Sequence, residues 1–242
     1  MKRVIEISVV LPVFNEGENI AEQIGELEKT IKLSHEILIV YDFDEDNTIP
    51  VVKGLKSKFK NIQLVKNIYG RGLINAVKTG FAKAGGKVIV VMPADLADDP
   101  KTILKMYQKT QQGCDVVAAT RYTKGGRKEG GEYIKSLMSR LAGLLTPILL
   151  GIPITDISNG FKMYRANVIE SIPIESNGGW EFSTELVVKA NDQGYKVGEV
   201  PTVWKNRVSG KSKFKLLKWL PKYLRWYFVG ILMRLNVYRG AN

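Results

Sequence analysis

The stretch that decides the fold runs from residue 5 to residue 20 and reads IEISVVLPVFNEGENI. Its first part, residues 5–11, is a run of apolar, largely β-branched side chains that predicts a buried strand. A polar turn follows, and across residues 17–33 apolar side chains recur at helical spacing. The same order of strand, loop and helix repeats through the first half of the chain. This alternation is typical of parallel strands joined by crossover helices.

We predict further strands at residues 36–41, 62–66, 87–92 and 115–120, and helices at residues 50–59, 73–84 and 100–112. Asp99 as capping residue and Pro100 in the first helical position set the start of the last helix. Residues 124–131, rich in Gly, Lys and Arg, are expected to form a mobile, exposed loop. The apolar segment at residues 141–154 contains Pro147 and is shorter than the ~20 residues that cross a bilayer. We therefore predict one α/β domain at residues 1–200 and an appendage at residues 201–242.

The chain has 242 residues and a formal net charge of +12, and no residue after Glu199 is acidic. Such a field attracts nucleic acid, phosphorylated ligands or anionic lipid. No recognisable nucleic-acid module accompanies the charge, so nucleic acid is the least favoured partner. Cys114 is the single cysteine, which excludes an internal disulfide and gives no sign of an oxidising compartment. No secretory leader is recognisable, and a cytoplasmic location is expected.

Polar residues follow three of the predicted strands, at the sheet edge where parallel α/β proteins bind ligands. They are residues 12–16 (PVFNE), 42–46 (DFDED) and 93–98 (PADLAD). Carboxylates in these places suit a nucleoside diphosphate held through a divalent cation, because Mg²⁺ prefers oxygen ligands and substrate phosphates. The alternative is that the acidic loops are merely solvated, which we favour for Asp44 and Glu45.

Residues 11–20 (LPVFNEGENI) resemble the opening signature of glycosyltransferase family 2, particularly its branch of dolichyl-phosphate mannose synthases and related polyprenyl-phosphate glycosyltransferases. Residues 40–48 (VYDFDEDNT) are similar to that family's nucleotide-binding motif V-D-D-G-S-x-D-x-T, and residues 67–80 to its glycine turn and helix. Motifs at residues 120–122, 156–162, 199–201 and 207–213 follow in order, so the resemblance covers nearly the whole chain. It implies an α/β GT-A fold, with a mostly parallel central sheet flanked by helices and a C-terminal amphipathic helical tail.

The resemblance further implies inverting, metal-dependent transfer of a hexose from a GDP- or UDP-sugar to a polyprenyl phosphate, with Mg²⁺ or Mn²⁺ as cofactor. The residues implied in nucleotide-sugar binding are Pro12, Phe14, Asn15, Glu16, Asp42, Asp46, Gly72, Ala94, Asp95, Arg207 and Lys213. Arg207 and Lys213 are expected near the diphosphate. Asp95 and Asp98 are the predicted metal ligands, and Asp95, Arg207 and Asp156 the predicted catalytic residues. The acceptor-loop pattern of the polyprenyl-phosphate branch matches Arg121, Lys135, Ser139 and Arg140.

Three positions depart from the family pattern. Pro93 and Ala97 stand where the family usually has an aspartate and a glutamine, which leaves Asp95 as the one matching residue of that motif. Asp98 either compensates for the missing ligands or caps the next helix. Phe43 replaces the glycine of the nucleotide-binding motif, which affects the expected base preference. A catalytically impaired nucleotide-sugar-binding protein is therefore one alternative function.

The identity of the acceptor decides whether a base is needed. A lipid monophosphate is already anionic near neutral pH, since its second pKa is about 6 by analogy with phosphoserine, and it needs cations. A hydroxyl acceptor must lose a proton, and Asp156 is then the candidate base. The alternative for Asp156 is that it orients its loop. For Lys135 and Arg140 the alternative is an ordinary solvated helix face.

Residues 214–235 interleave aromatic and aliphatic side chains with lysines and arginines. Such a segment, too short to span, is typical of a helix lying in a membrane interface. Its apolar side could instead pack on the domain or on a second subunit, so a homo-oligomer is possible. With a lipid acceptor, we expect a peripheral protein on the cytoplasmic face of a membrane.

Overall fold

The computed structural model describes residues 4–206 and 216–237. Its strands are β1 (Ile7–Pro12), β2 (His35–Tyr41), β3 (Ile62–Lys66), β4 (Val88–Val91), β5 (Val116–Thr120), β6 (Arg127–Glu129), β7 (Lys162–Arg165), β8 (Val197–Pro201) and β9 (Val203–Lys205). Its helices are α1 (Ile20–Thr30), α2 (Thr48–Leu55), α3 (Leu73–Lys83), α4 (Thr102–Gln111), α5 (Tyr133–Leu150), α6 (Ala166–Ser171), α7 (Phe182–Asp192) and α8 (Leu216–Arg234).

A seven-stranded sheet in the order β3-β2-β1-β4-β7-β5-β8 forms the centre of the molecule. All neighbouring strands are parallel except β7, which is antiparallel to both β4 and β5. Successive side chains of a strand point to opposite faces, and β1 shows this clearly. Val9 and Leu11 pack with α1, α2 and α4, whereas Val10 packs with α3 and α7. The predicted mostly parallel sheet flanked by helices is confirmed.

Most predicted elements agree with the structure to within a few residues at each end. The strand at residues 62–66 has the predicted bounds. The predicted start of the helix at Pro100 is wrong by two residues, because α4 begins at Thr102. Asp99 still organises this start, since its carboxylate accepts a hydrogen bond from the backbone N–H of Lys101 at 3.0 Å.

The segment at residues 124–131, predicted to be an exposed loop, is mostly exposed but contains a short strand. Residues 127–129 form β6, which pairs in parallel with β9, and the side chain of Lys128 is half-buried. The partner strand is distant in sequence, so local composition gives no sign of it.

Beyond Pro201 the chain remains in contact with the rest of the fold through β9 and α8. Trp226 of α8 is buried, and its Nε1 donates to Ser176 Oγ at 2.8 Å. The hydroxyl of Tyr227 donates to the carbonyl of Ala142 in α5 at 2.7 Å. The predicted C-terminal amphipathic helix is therefore present and packs on α5 and α7. No helix within the described ranges is both long and apolar enough to cross a bilayer.

Helix α5 crosses the segment before β7 at a point of very close approach. A Cβ atom placed on Gly143 would overlap the carbonyl oxygen of Thr155, the residue before Asp156. Gly143 is buried, and backbone cannot yield as a flexible side chain would. Only glycine lets α5 lie this close to Asp156.

We expect Gly143→Ala to destabilise the fold by roughly 1–3 kcal/mol, the usual cost of overpacking, despite the higher helix propensity of alanine. Urea denaturation measures this change. Gly25→Ala in α1 is the matched control, because a Cβ at Gly25 would have no heavy atom within 4 Å. It should be neutral or stabilising by up to ~1 kcal/mol. Equal behaviour of the two variants would contradict the close packing of α5.

Candidate active site

Three loops meet at one edge of the sheet, as the sequence predicts. Strands β2, β1 and β4 are parallel neighbours, with Pro12 in register with Val40 and Val10 with Val91. The loops after these strands contain residues 13–16, 42–46 and 92–98. This places Asp42, Asn15 and Asp95 at the same edge, where an open parallel sheet binds ligands.

Asp46 fastens the first of these loops to the second. Its carboxylate is buried and accepts hydrogen bonds from the backbone N–H groups of Asn15 at 3.0 Å and Thr48 at 2.8 Å. Thr48 Oγ1 in turn accepts from the N–H of Glu16 at 2.9 Å. Asn15 has a φ of 56°, the left-handed region that asparagine tolerates better than most residues. Asp46 thus shapes the loop that follows Pro12.

Asp42 fastens the second loop to the glycine turn. It accepts from Asn67 Nδ2 at 2.8 Å and from the backbone N–H of Gly72 at 2.9 Å. Gly72 has a φ of 123°, a conformation in which a side chain would be strained. Asp42 and Gly72, which were both predicted in nucleotide-sugar binding, are therefore hydrogen-bonded to each other and hold the glycine turn in place.

Phe43, which replaces the family's glycine, packs against two neighbours. Its ring contacts Phe14 edge to face at 5.4 Å between centroids, and the Arg71 guanidinium lies 5.4 Å from its centroid. Phe14 is 48% exposed. The replacement of glycine by Phe43 thus brings aromatic rings and the Arg71 guanidinium together at the carboxyl ends of β1 and β2.

The third loop has a backbone constraint at its centre. Leu96 adopts a φ of 61°, which is uncommon for a residue other than glycine, and strain of this kind is concentrated at functional sites. Asp95 Oδ1 accepts from the N–H of Ala97 at 3.2 Å, and the carbonyl of Ala97 accepts from Lys205 at 2.8 Å. Ala94 and Asp95 are both buried. Arg207 and Lys213 lie outside the described residues.

Asp98 is a buried carboxylate with unused hydrogen-bonding capacity. Its side chain is almost fully buried, and Oδ1 has no hydrogen-bond partner among the described residues. Burial, and next the Asp95 carboxylate, raise the pKa of Asp98 to about 7, while Arg121 opposes the shift. A carboxylate of this kind, beside a second one, is suited to a cation or to a proton.

Asp95 and Asp98 could hold a divalent cation only if other groups complete its coordination. No group of three or more His, Cys, Asp or Glu side chains arranged for a metal occurs in the described parts of the chain. Mg²⁺ is commonly held by one or two carboxylates with substrate phosphates and water completing the octahedron. Asp95 and Asp98 match that requirement, and the missing ligands at Pro93 and Ala97 do not exclude it.

Arg121, immediately after β5, forms an ion pair with Asp156. Arg121 Nε donates to Asp156 Oδ2 at 2.7 Å and Nη2 donates to Oδ1 at 2.8 Å. Asp156 also accepts from the Arg121 backbone N–H at 3.1 Å. Burial disfavours the charge on Arg121, but Asp156 outweighs it and raises the pKa of Arg121 above its ordinary value. Asp156 is fully buried and committed to this pair.

The hydroxyls of α5 and of the loop before β7 extend this pair. Arg121 Nη2 donates to Ser139 Oγ at 3.1 Å, and Ser139 and Ser158 share a hydrogen bond of 2.8 Å. The loop before β7 is held in place by Lys162, whose buried ammonium donates to the carbonyls of Ile157 and Asn159. Ser139, predicted by motif, therefore lies beside Arg121.

A cleft of about 560 Å³ opens next to this cluster, between β6, the Arg121 turn and the start of α5. Arg121, Lys128 and Arg140 contribute cations to its walls, and Tyr133 and Leu137 contribute apolar surface. Lys135 is paired with Glu132 at 2.6 Å on the first turns of α5. The cleft thus combines positive charge with apolar surface, as a lipid phosphate requires.

Lys128 lines this cleft and is not among the site residues predicted from the sequence. Its Nζ donates to Ser136 Oγ at 2.5 Å and lies 5.1 Å from the centroid of the Trp204 ring. The strand pairing of β6 with β9 produces this position. The one signal in the sequence was the position of Lys128, which lies among glycines shortly before the residues that match the family's acceptor-loop pattern.

Comparison with known proteins identifies the family of this chain. The family described as "Glycosyl transferase family 2" matches residues 8–172. A dolichol-phosphate mannosyltransferase of Pyrococcus furiosus is 31% identical over 92% of this chain and 64% of its own length, so this chain spans under two thirds of that relative. A polyprenol monophosphomannose synthase of Mycolicibacterium smegmatis is 28% identical over 96% of this chain and 90% of the relative.

A solved structure shows the same fold at low sequence identity. Glucosyl-3-phosphoglycerate synthase of Mycobacterium tuberculosis, in complex with Mn²⁺, UDP and glucosyl-3-phosphoglycerate, superimposes with a TM-score of 0.68. The two sequences are 17% identical, over 97% of this chain and 81% of that one. The expected GT-A fold is thereby confirmed. Because the family match covers residues 8–172, more than half of the chain, the chain belongs to glycosyltransferase family 2.

Proposed function

We propose that this chain is an inverting hexosyltransferase that moves a sugar from a nucleotide-sugar donor to a polyprenyl phosphate. The observation that carries the proposal is the Arg121–Asp156–Ser139 cluster beside a cleft with cationic and apolar walls. The names of the two relatives support it, since both indicate mannose transfer to a dolichol or polyprenol phosphate. Mannose is therefore the first sugar to test.

In the proposed reaction, an oxygen of the lipid phosphate attacks the anomeric carbon of the sugar. The bond from that carbon to the nucleoside diphosphate breaks, and the diphosphate leaves with the electron pair. Because the attacking oxygen is already anionic, no group has to remove a proton. Arg121, together with Ser139, orients the lipid phosphate by charge-assisted hydrogen bonds.

Asp156 acts in this proposal as a positioning residue. Its two oxygens accept from Nε and Nη2 of Arg121, which fixes the plane of the guanidinium. The same commitment makes it a poor free base for a hydroxyl acceptor. The geometry thus favours the lipid-phosphate acceptor over the hydroxyl alternative.

On the donor side, the loops tied together by Asp42 and Asp46 form the proposed nucleotide site, with Phe14 exposed at its edge. Asp95 and Asp98 would hold Mg²⁺ or Mn²⁺, which stabilises the negative charge that develops on the departing diphosphate. The solved neighbour is a complex with both Mn²⁺ and UDP. Arg207 and Lys213 are proposed to assist as cations.

The proposed membrane contact is α5 together with α8. The outer side of α5 exposes large apolar residues, and the helix carries no acidic residue. They are Ile134, Leu137, Leu141, Leu144, Leu145 and Ile148, all more than 40% exposed. In α8, which packs against α5, Leu224 and Phe228 are exposed in the same manner. An apolar surface of this extent on a basic protein suits the boundary between lipid headgroups and acyl chains.

The direct test is an assay of transfer with purified protein, Mn²⁺, radiolabelled GDP-mannose or UDP-glucose, and polyprenyl phosphate. We expect label in the organic phase with one donor, and no transfer to the polyprenol that lacks a phosphate. Arg121→Met should lower kcat/KM for the lipid by roughly 10²-fold or more, because it removes the charge-assisted hydrogen bonds that orient the phosphate. It also leaves Asp156 unpaired, so thermal melting of the variant must show that it is folded. Lys124→Met, an exposed lysine of the same segment, is the control.

Two results would point to the alternatives. Transfer to polyprenol as fast as to its phosphate would favour a hydroxyl acceptor. Tight binding of a nucleoside diphosphate with no transfer from any donor would favour a catalytically impaired binding protein.

Calorimetry with GDP and UDP, with and without Mn²⁺, tests the metal site. We expect Mn²⁺ to increase the affinity for one nucleotide, and Asp95→Asn and Asp98→Asn each to reduce that increase on the order of tenfold. Asp99→Asn should leave it unchanged, because an asparagine oxygen can still accept from Lys101. An Asp98→Asn protein that keeps the full Mn²⁺ effect would exclude Asp98 as a ligand.

Co-sedimentation with vesicles of anionic phospholipid tests the membrane surface. The double variant Leu141→Glu with Ile148→Glu should lose most of its binding, because each carboxylate opposes insertion of α5 into the interface. Leu33→Glu places the same charge on an exposed leucine outside both helices and should bind as the unaltered protein does. Equal binding by all three proteins would contradict a role for α5.

A further inference from the structure

Lys128 is partly buried, although it belongs to a glycine-rich segment that is mostly exposed. Its side chain extends from β6 to α5, where its ammonium donates to Ser136 Oγ at 2.5 Å. Its ammonium also lies 5.1 Å from the centroid of the Trp204 ring on β9. The side chain is therefore held between a helix and a strand and lines the same cleft as Arg121 and Arg140.

No described carboxylate forms an ion pair with Lys128, although the charges of Asp156 and Glu132 favour its protonated form. The nearby acidic side chains have other partners: Glu132 pairs with Lys135 at 2.6 Å, and Glu129 lies 3.8 Å from both Arg127 and Lys205. Burial, and next the Arg121 guanidinium, lower the pKa of Lys128. Like charges that converge in a partly desolvated cleft are unfavourable unless an anion binds between them.

Ser136 fixes the ammonium and does not itself compete for a ligand. Its Oγ accepts from Lys128 and donates its own hydrogen to the carbonyl of Glu132 at 2.9 Å. An ammonium has three N–H donors, and the hydrogen bond to Ser136 uses one of them. Among the residues that the structure describes, no other group accepts a hydrogen bond from Lys128, so its remaining donor capacity can serve a group within the cleft.

We propose that Lys128, positioned by Ser136 and Trp204, is a second cation that binds the phosphate of the acceptor together with Arg121. The inference rests on the proposed function and assigns the acceptor phosphate two cations from different elements, one on β5 and one on β6. Arg121 is immobilised by Asp156, whereas Lys128 is held by a neutral serine and an aromatic ring. The Lys128 ammonium is therefore not hydrogen-bonded to a carboxylate, whereas the Arg121 guanidinium is.

Direct binding of a short-chain, water-soluble polyprenyl monophosphate, measured by calorimetry without donor, tests this assignment. Lys128→Met should weaken binding roughly ten- to hundred-fold, the effect of losing a charged hydrogen bond. Lys128→Arg should recover part of the loss. Affinity for GDP or UDP should stay unchanged, because the donor loops do not contact Lys128 in this arrangement. Lys124→Met removes the same charge from an exposed position of the segment and should bind as the unaltered protein does.

Three results would overturn the assignment. One is equal affinity of Lys128→Met and Lys124→Met for the lipid phosphate. Another is an equal loss for the matching polyprenol, which would mean that Lys128 only shapes the cleft. The third is a wild-type protein that binds the polyprenol as tightly as its phosphate. Wild-type affinity for the lipid phosphate without any sugar transfer would instead refute the proposed function and leave the Lys128 comparison valid. Thermal melting of each variant confirms that it is folded.

Discussion

The ion pair between Arg121 and Asp156 is the interaction around which the proposed acceptor side of this protein is organised. Taking both charges out of water is costly, and the pair is tolerable because several hydrogen bonds fix it in one geometry. Asp156 accepts from the backbone and from two nitrogens of Arg121. Ser139 joins from α5. The end of β5, the segment before β7 and the middle of α5 thus meet at a single buried charge pair, which determines where a cation faces the cleft.

Helix α5 connects this pair to the surface. Its inner side carries Gly143, which permits contact with the backbone before Asp156, and Ser139, which binds Arg121. Its outer side is a row of exposed aliphatic residues. A lipid acceptor needs both surfaces at once, because its phosphate must reach the donor while its chain remains in an apolar phase. One helix with two such sides meets this requirement.

Local patterns predicted much of the fold because each strand and helix in the first half buries a definite face. The meeting of the loops near Asp42 and Asp95 followed from a rule of parallel sheets, and Arg121 and Ser139 followed from the family resemblance. The pattern did not predict β6 within residues 124–131, because this strand exists only through its pairing with β9, which is distant in sequence. Lys128 was missed for the same reason, since its burial depends on Trp204. Asp98 Oδ1, which has no hydrogen-bond partner among the described residues, is likewise buried by packing that no sequence motif indicates.

The central claim is that the acceptor phosphate lies against Arg121, within reach of the donor held near Asp95. A crystal structure with a nucleoside diphosphate, Mn²⁺ and a short-chain polyprenyl phosphate would test it most directly. The account predicts a phosphate within hydrogen-bond distance of Arg121, with its lipid chain leaving along the apolar side of α5. A phosphate bound elsewhere, with the Arg121–Asp156 pair facing only protein, would contradict it.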